Sequence, residues 1–204
     1  MGSGRAKGRH MAEGTGDERQ RLFVAVPLPG ELEALVRRAQ ESLAAVRELR
    51  VLKPEQLHVT LAFIGEVDAG KAAIARSVVE SVPADMGGEA VIGGFLPLPS
   101  PSRARVVALE LADEQGVFAG LFETVMGGLE AGGVMSREER PFRPHLTIAR
   151  LRTPCAVRPR YESEQARFAV QSVCLYQSEL RRERAVYTVV CRRTFERGDA
   201  EERA

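Results

Sequence analysis

The pattern His-x-Thr-x occurs twice in this chain, as His58-Val59-Thr60-Leu61 and His145-Leu146-Thr147-Ile148, 87 residues apart. The first copy sits in a segment that alternates with period two. Leu57, Val59, Leu61 and Phe63 fall on one face, and His58, Thr60 and Ala62 on the other. A strand with a wholly apolar back must cover a core, and its polar front must face water or a cleft. A second strand with the same His/Thr front, in 204 residues, calls for a fold that leaves both fronts open.

The remaining elements follow from periodicity and breakers. Residues 21–26 are β-prone and end at Pro27. Residues 31–48 carry apolar positions at helical spacing, and so do 69–82 and 113–130. Strands are expected at 56–64, 89–96, 105–111, 142–151, 167–175 and 185–195, with a loop over 97–103 and a join around 179–183. The order β-α-β-α-β-β-α-β-β-β describes an α+β chain with a cleft between two halves. The folded domain is expected at 20–197, with tails at 1–19 and 198–204.

Composition narrows the function classes. The net charge of +1 gives no support to binding nucleic acid by bulk charge. The cations are nevertheless unusual, with 26 arginines against Lys7, Lys53 and Lys71. Arginine grips phosphate in two places with a planar fork. Arg137, Arg140, Arg143, Arg150, Arg152, Arg158 and Arg160 crowd around the second motif and suggest a basic wall. Cys155, Cys174 and Cys191 form no CxxC pair, which fits a reducing compartment. No apolar run is long enough to span a membrane, and a cytoplasmic location is expected.

Parity points His58 with Thr60, and His145 with Thr147, away from the core. Histidine titrates near neutral pH, so one copy can activate a nucleophile while the other protonates a leaving oxygen. A threonine hydroxyl can hold a phosphate oxygen. Such a pair across a cleft suits in-line attack at phosphorus with no metal and no cofactor. A single strand histidine is more often structural than catalytic; the shared Thr at i+2 is what lifts this pair. Arg150 has the wrong parity to join them, and reaches the site only if the strand ends, bulges or twists after Thr147. Parity likewise assigns Phe63 to the core, while its place near a strand end leaves it a candidate for stacking on a base.

These residues resemble the 2H phosphoesterase superfamily, in its bacterial and archaeal RNA 2′,3′-cyclic phosphodiesterase (2′-5′ RNA ligase) branch. The likeness is carried by His58-Val-Thr-Leu-Ala-Phe-Ile-Gly-Glu66, by Arg140-Pro-Phe-Arg-Pro-His-Leu-Thr-Ile-Ala-Arg150, by the opening Arg21-Leu-Phe-Val-Ala-Val-Pro-Leu-Pro29, and by Tyr176-Gln-Ser-Glu-Leu180 with Tyr187-Thr-Val-Val190. It implies a bilobal fold, with two antiparallel sheets and flanking helices around a central cleft. It implies metal-independent opening of a terminal RNA 2′,3′-cyclic phosphate to a 2′-phosphate by a monomer. It also implies His58 as proton donor and His145 as proton acceptor, with Thr60, Thr147 and Arg150 on the phosphate. A 2′-5′ oligonucleotide phosphodiesterase or ligase is the nearest alternative, and a non-catalytic RNA-end binder the alternative of another class.

Overall fold

The computed structural model describes residues 19–137, 140–160, 162–180 and 185–196. The expected tails, apart from Arg19, and residues 181–183 of the expected join lie outside them. The strands are β1 (Gln20–Pro27), β2 (Leu49–Val51), β3 (His58–Val67), β4 (Gly88–Leu98), β5 (Ala104–Ala112), β6 (His145–Cys155), β7 (Ala166–Val170), β8 (Ser172–Leu180) and β9 (Ala185–Thr194). The helices are α1 (Glu33–Ser42), α2 (Ala69–Glu80) and α3 (Val117–Ala131).

The expected α+β fold with two antiparallel lobes is present. One lobe orders its strands β3-β1-β8-β9 and the other β6-β5-β4-β7, with β2 on β6. The lobes meet where β3 pairs β6 at Val59 and Leu146, so hydrogen bonding links both sheets into one path. β7 and β8 are separated in sequence by Gln171 alone, yet belong to opposite lobes. A one-residue link between such distant strands forces the sheet to curl back on itself. Each lobe's first helix covers the other lobe's motif strand, α1 against β6 and α3 against β3. Val59, Leu61, Leu146 and Ile148 are all buried in the core beneath.

Several boundaries differ from expectation. The helix expected over 31–48 ends at Ser42, after a 3-10 turn at Gly30–Leu32. The chain turns there to bring β2 beside β6, and three residues are too few for alternation to register. β4 continues through Pro97. β7 pairs β4 at Gly88–Ile92, so Pro97 lies beyond that pairing and its missing N–H is tolerated. The strand expected over 142–151 begins at His145 and runs to Cys155. The single strand expected over 167–175 is divided at Gln171, where the chain changes lobes. Asp113 precedes α3 and accepts hydrogen bonds from the Phe118 and Ala119 amides, satisfying orphan donors of its first turn. Among the described residues no helix is long and apolar enough to cross a membrane.

The interlobe pair predicts a stability cost. Leu146→Ala should lower the unfolding free energy by about 3 kcal/mol, read from the denaturant midpoint at unchanged slope.

Candidate active site

The pairing of Val59 with Leu146 decides the front of the sheet as well as its back. In an antiparallel pair it sets His58 across from Thr147 and Thr60 across from His145. Directly opposed residues stand about 5 Å apart and diagonal ones about 7–8 Å, so the two histidines flank a space the size of one phosphate. A cavity of about 370 Å³ opens over them, lined by His58, Thr60, Phe63, His145, Thr147 and Arg150. All six residues singled out in the sequence therefore border one cavity.

Two β-bulges explain the residues whose parity was wrong. On β6, Thr147 pairs with Ala108 and Ala149 with Val107, leaving Ile148 as the extra residue. On β3, Thr60 pairs with Ala25 and Ala62 with Val24, leaving Leu61 extra. A bulge turns the strand after it to the other face. Arg150 and Phe63, each five residues after its histidine, thereby join the site face. The core assignment of Phe63 is thus corrected; the residue is 52% exposed.

The two imidazoles have different surroundings. His145 is oriented by its own strand entrance, its Nδ1 lying 2.8 Å from the Arg143 carbonyl. An Nδ1–H donated there leaves Nε2 for the cavity. His58 is held in the matching way by the Gln56 carbonyl. It also stands against Phe23 at 4.8 Å and meets Tyr187 edge-on at 5.3 Å between ring centroids. Burial pushes the His58 pKa down to about 4, and the Arg150 charge adds to that shift, against the opposing Gln56 hydrogen bond. The free site therefore holds His58 neutral at pH 7.

Three supports were not singled out beforehand. Gln40 of α1 donates from Nε2 to the Leu52 carbonyl at 2.8 Å and to the bulged Ile148 carbonyl at 2.9 Å. It ties the approach to His58 to the bulge that turns Arg150. Gln56, itself buried, donates to the Ala185 carbonyl at 3.2 Å. The aromatic group of Phe23, Tyr176 and Tyr187 forms a small second core around Ala25 and Cys174. Its signal was hidden because Leu22–Val26 is apolar on both faces.

The expected basic wall is partly dispersed. Arg150 lines the cavity; Arg152, Arg158 and Arg160 do not. Arg143 is ion-paired with Glu110, and Arg137 with Glu123 and Glu130. Those carboxylates sit on α3 and β5, outside the stretch in which the arginines were counted, which is why that count overstated the field. Among the described residues no group of three His, Cys, Asp or Glu side chains is placed to hold a metal ion.

A family model described as the 2′-5′ RNA ligase superfamily matches residues 22–182. A protein of Archaeoglobus fulgidus named RNA 2′,3′-cyclic phosphodiesterase is 33% identical over 135 residues, 65% of this chain and 73% of that protein. One of the same name from Thermus thermophilus is 30% identical over 193 residues, 83% of this chain and 87% of that protein. Among solved structures, Escherichia coli LigT complexed with 3′-AMP superposes with a TM-score of 0.75 at 26% identity, over 87% of this chain and 99% of that one.

Three outcomes follow from the geometry. His58 should titrate near pH 4 by NMR in the free protein, and Arg150→Met should raise that value by removing a like charge. A folded pKa below the unfolded one means that the unfolded chain binds the extra proton. Stability should therefore be full above about pH 6.5 and fall by up to about 3 kcal/mol as pH drops to 4, a loss that His58→Gln abolishes. Gln40→Met keeps the side chain's length and removes both donors. It should weaken inorganic phosphate binding about tenfold, with no further loss in an Arg150→Ala background. An equal loss in both backgrounds, measured by calorimetry, would show that Gln40 does not act through Arg150.

Proposed function

Because the chain belongs to the 2′-5′ RNA ligase superfamily, we propose that it is a metal-independent RNA 2′,3′-cyclic phosphodiesterase, opening terminal cyclic phosphates to 2′-phosphates. The observation that carries the reading is the pair of His/Thr sets lining one cavity with Arg150 turned in beside them. The names of the relatives from Archaeoglobus fulgidus and Thermus thermophilus support the choice of substrate.

In this reading the phosphorus sits over the Val59–Leu146 pair. Thr60 and Thr147 donate hydrogen bonds to the two non-bridging oxygens, and Arg150 meets their charge. His145 accepts a proton from water through Nε2, and the water oxygen bonds to phosphorus. The bond to O3′ breaks on the opposite side, and His58 protonates the departing oxygen. A proton donor must carry its proton when the substrate is bound. Burial is what chiefly holds His58 neutral in the free site, with the Arg150 charge adding to it; the phosphate anion offsets that charge and favours the imidazolium. The aromatic wall of Phe23, Phe63 and Tyr187 lies on the His58 side and faces the ribose and base of the terminal nucleotide. Phe63 is its exposed member, braced by Phe23 at 5.9 Å and by the Arg21 guanidinium 5.5 Å from its ring.

Phosphorus NMR on an oligonucleotide ending in a 2′,3′-cyclic phosphate, with EDTA present, tests the assignment. A 2′-phosphate should form at an undiminished rate. His58→Ala and His145→Ala should each lower kcat by about 10²–10⁴-fold, with the double variant losing little more. Binding without turnover would instead identify an RNA-end binding protein. Full activity in either single variant would remove that histidine from the mechanism.

A further inference from the structure

The cavity over the two histidines, at about 370 Å³, has room for a nucleotide-sized ligand rather than a bare phosphate. A neighbouring apolar cavity of about 400 Å³ shares Thr60, Phe63 and His145 with it. Arg21 and Ser178 line the first cavity, and hydrolysis as described above leaves both without a contact to substrate. β1 sends Leu22, Val24 and Val26 into the core, so Arg21 lies with Phe23 and Ala25 on the site face. Leu22 pairs with Gln177 of β8, and the same register sets Arg21 beside Ser178. The Arg21 guanidinium lies 5.5 Å from the Phe63 ring, and its Nε is buried with no hydrogen-bond partner. Glu66 stands opposite Arg21 in the β1–β3 ladder. Among the described residues neither Glu66 nor any other carboxylate is ion-paired with Arg21, and the hydroxyl of the buried Ser178 makes no hydrogen bond to the protein. A buried donor without an acceptor carries a cost, and one that borders a ligand cavity is placed for a ligand to satisfy.

Resting on the cyclic-phosphate reading of this cavity, we propose that Arg21 and Ser178 form a second anion subsite, which holds the phosphodiester on the 5′ side of the terminal nucleotide. The group they take is an anion, since a guanidinium has donors only and a hydroxyl can donate beside it. It is a second anion, because Thr60, Thr147 and Arg150 already hold the cyclic phosphate. Its position follows from β1. Phe23 stands 4.8 Å from His58, on the side where O3′ departs and the ribose lies. Arg21 is two residues further along the same face, about 7 Å on. Outward from the reacting phosphorus the substrate presents its ribose, then C5′, then the next phosphodiester. Phe63, against which Arg21 packs, takes the base between the two phosphate sites. The preferred substrate is therefore an oligonucleotide end, and a cyclic mononucleotide leaves this subsite empty. No bond is made or broken there.

The test compares kcat/KM for hydrolysis of two dinucleotides, each ending in cytidine 2′,3′-cyclic phosphate. One has an ordinary 3′-5′ phosphodiester link and the other an uncharged methylphosphonate link, so the bases and the reacting group are the same. The charged dinucleotide should be hydrolysed at least about tenfold better, the worth of a hydrogen bond to a charged group. Arg21→Met keeps an unbranched apolar side chain against Phe63 and should bring the ratio close to one. Arg21→Lys keeps the charge and should retain part of the preference. Equal rates in the wild-type protein, or a ratio that Arg21→Met leaves intact, overturns the subsite; the wild-type comparison needs no variant to fold. Binding is read separately, from the Arg21 Nε–H resonance on adding each dinucleotide with a 2′-phosphate in place of the cyclic ester. A shift with the charged link and none with the neutral one, without turnover of either cyclic substrate, would sink the cyclic-phosphate reading and leave the subsite standing. Turnover of both at equal rates would do the reverse.

Discussion

The pairing of Val59 with Leu146 carries two functions in one contact. Behind the sheet both side chains belong to the core, at 3% and 0% exposure. In front of it the same register decides which imidazole lies beside which threonine. A slip of one residue would exchange the two faces, sending His58 and His145 into the core and apolar side chains into the cleft. The free energy that resists the slip comes from burying aliphatic side chains, not from the polar groups. Hydrophobic packing here fixes the spacing of the two imidazoles, and helices α1 and α3, each lying on the opposite lobe's motif strand, seal that arrangement.

On this register the bulges at Leu61 and Ile148 act as corrections of aim. Each leaves the motif upstream undisturbed and turns the strand downstream. Gln40 holds the second through its carbonyl, and no equivalent side-chain bond to the Leu61 carbonyl is present among the described residues. The imidazoles then diverge in character through their neighbours. His58 is enclosed by rings, and the cost of charging it there exceeds the help from the Gln56 carbonyl. His145 opens toward two cavities.

Where the chain contrasts polar with apolar along a period, the sequence was legible. Residues 56–64 show it most clearly, and both motifs, their facing and the surrounding α+β order could be read from that contrast. Elsewhere the contrast vanishes. Leu22–Val26 is apolar throughout because β1 lies between two strands with both faces covered, so Phe23 gave no hint of lying beside His58. Gln171 divides two strands without a glycine or proline to mark it. Bulges are the plainest case: Leu61 and Ile148 are ordinary apolar residues, and an extra residue in a ladder is defined by the partner strand. Counting parity past them put Arg150 and Phe63 on the wrong face. The arginine cluster failed for a related reason, since Glu110 on β5 and Glu123 and Glu130 on α3 compensate it from outside the stretch in which it was counted.

The slot five residues after each histidine has a consequence beyond aim. Both halves build the same backbone device, but one fills the slot with a benzyl ring and the other with a guanidinium. That difference adds to the one already made by the rings that enclose His58. The ring favours a flat, neutral partner on one side; the cation draws charge toward the other. Polarity is thereby reinforced on a near-symmetric frame by one side chain per half.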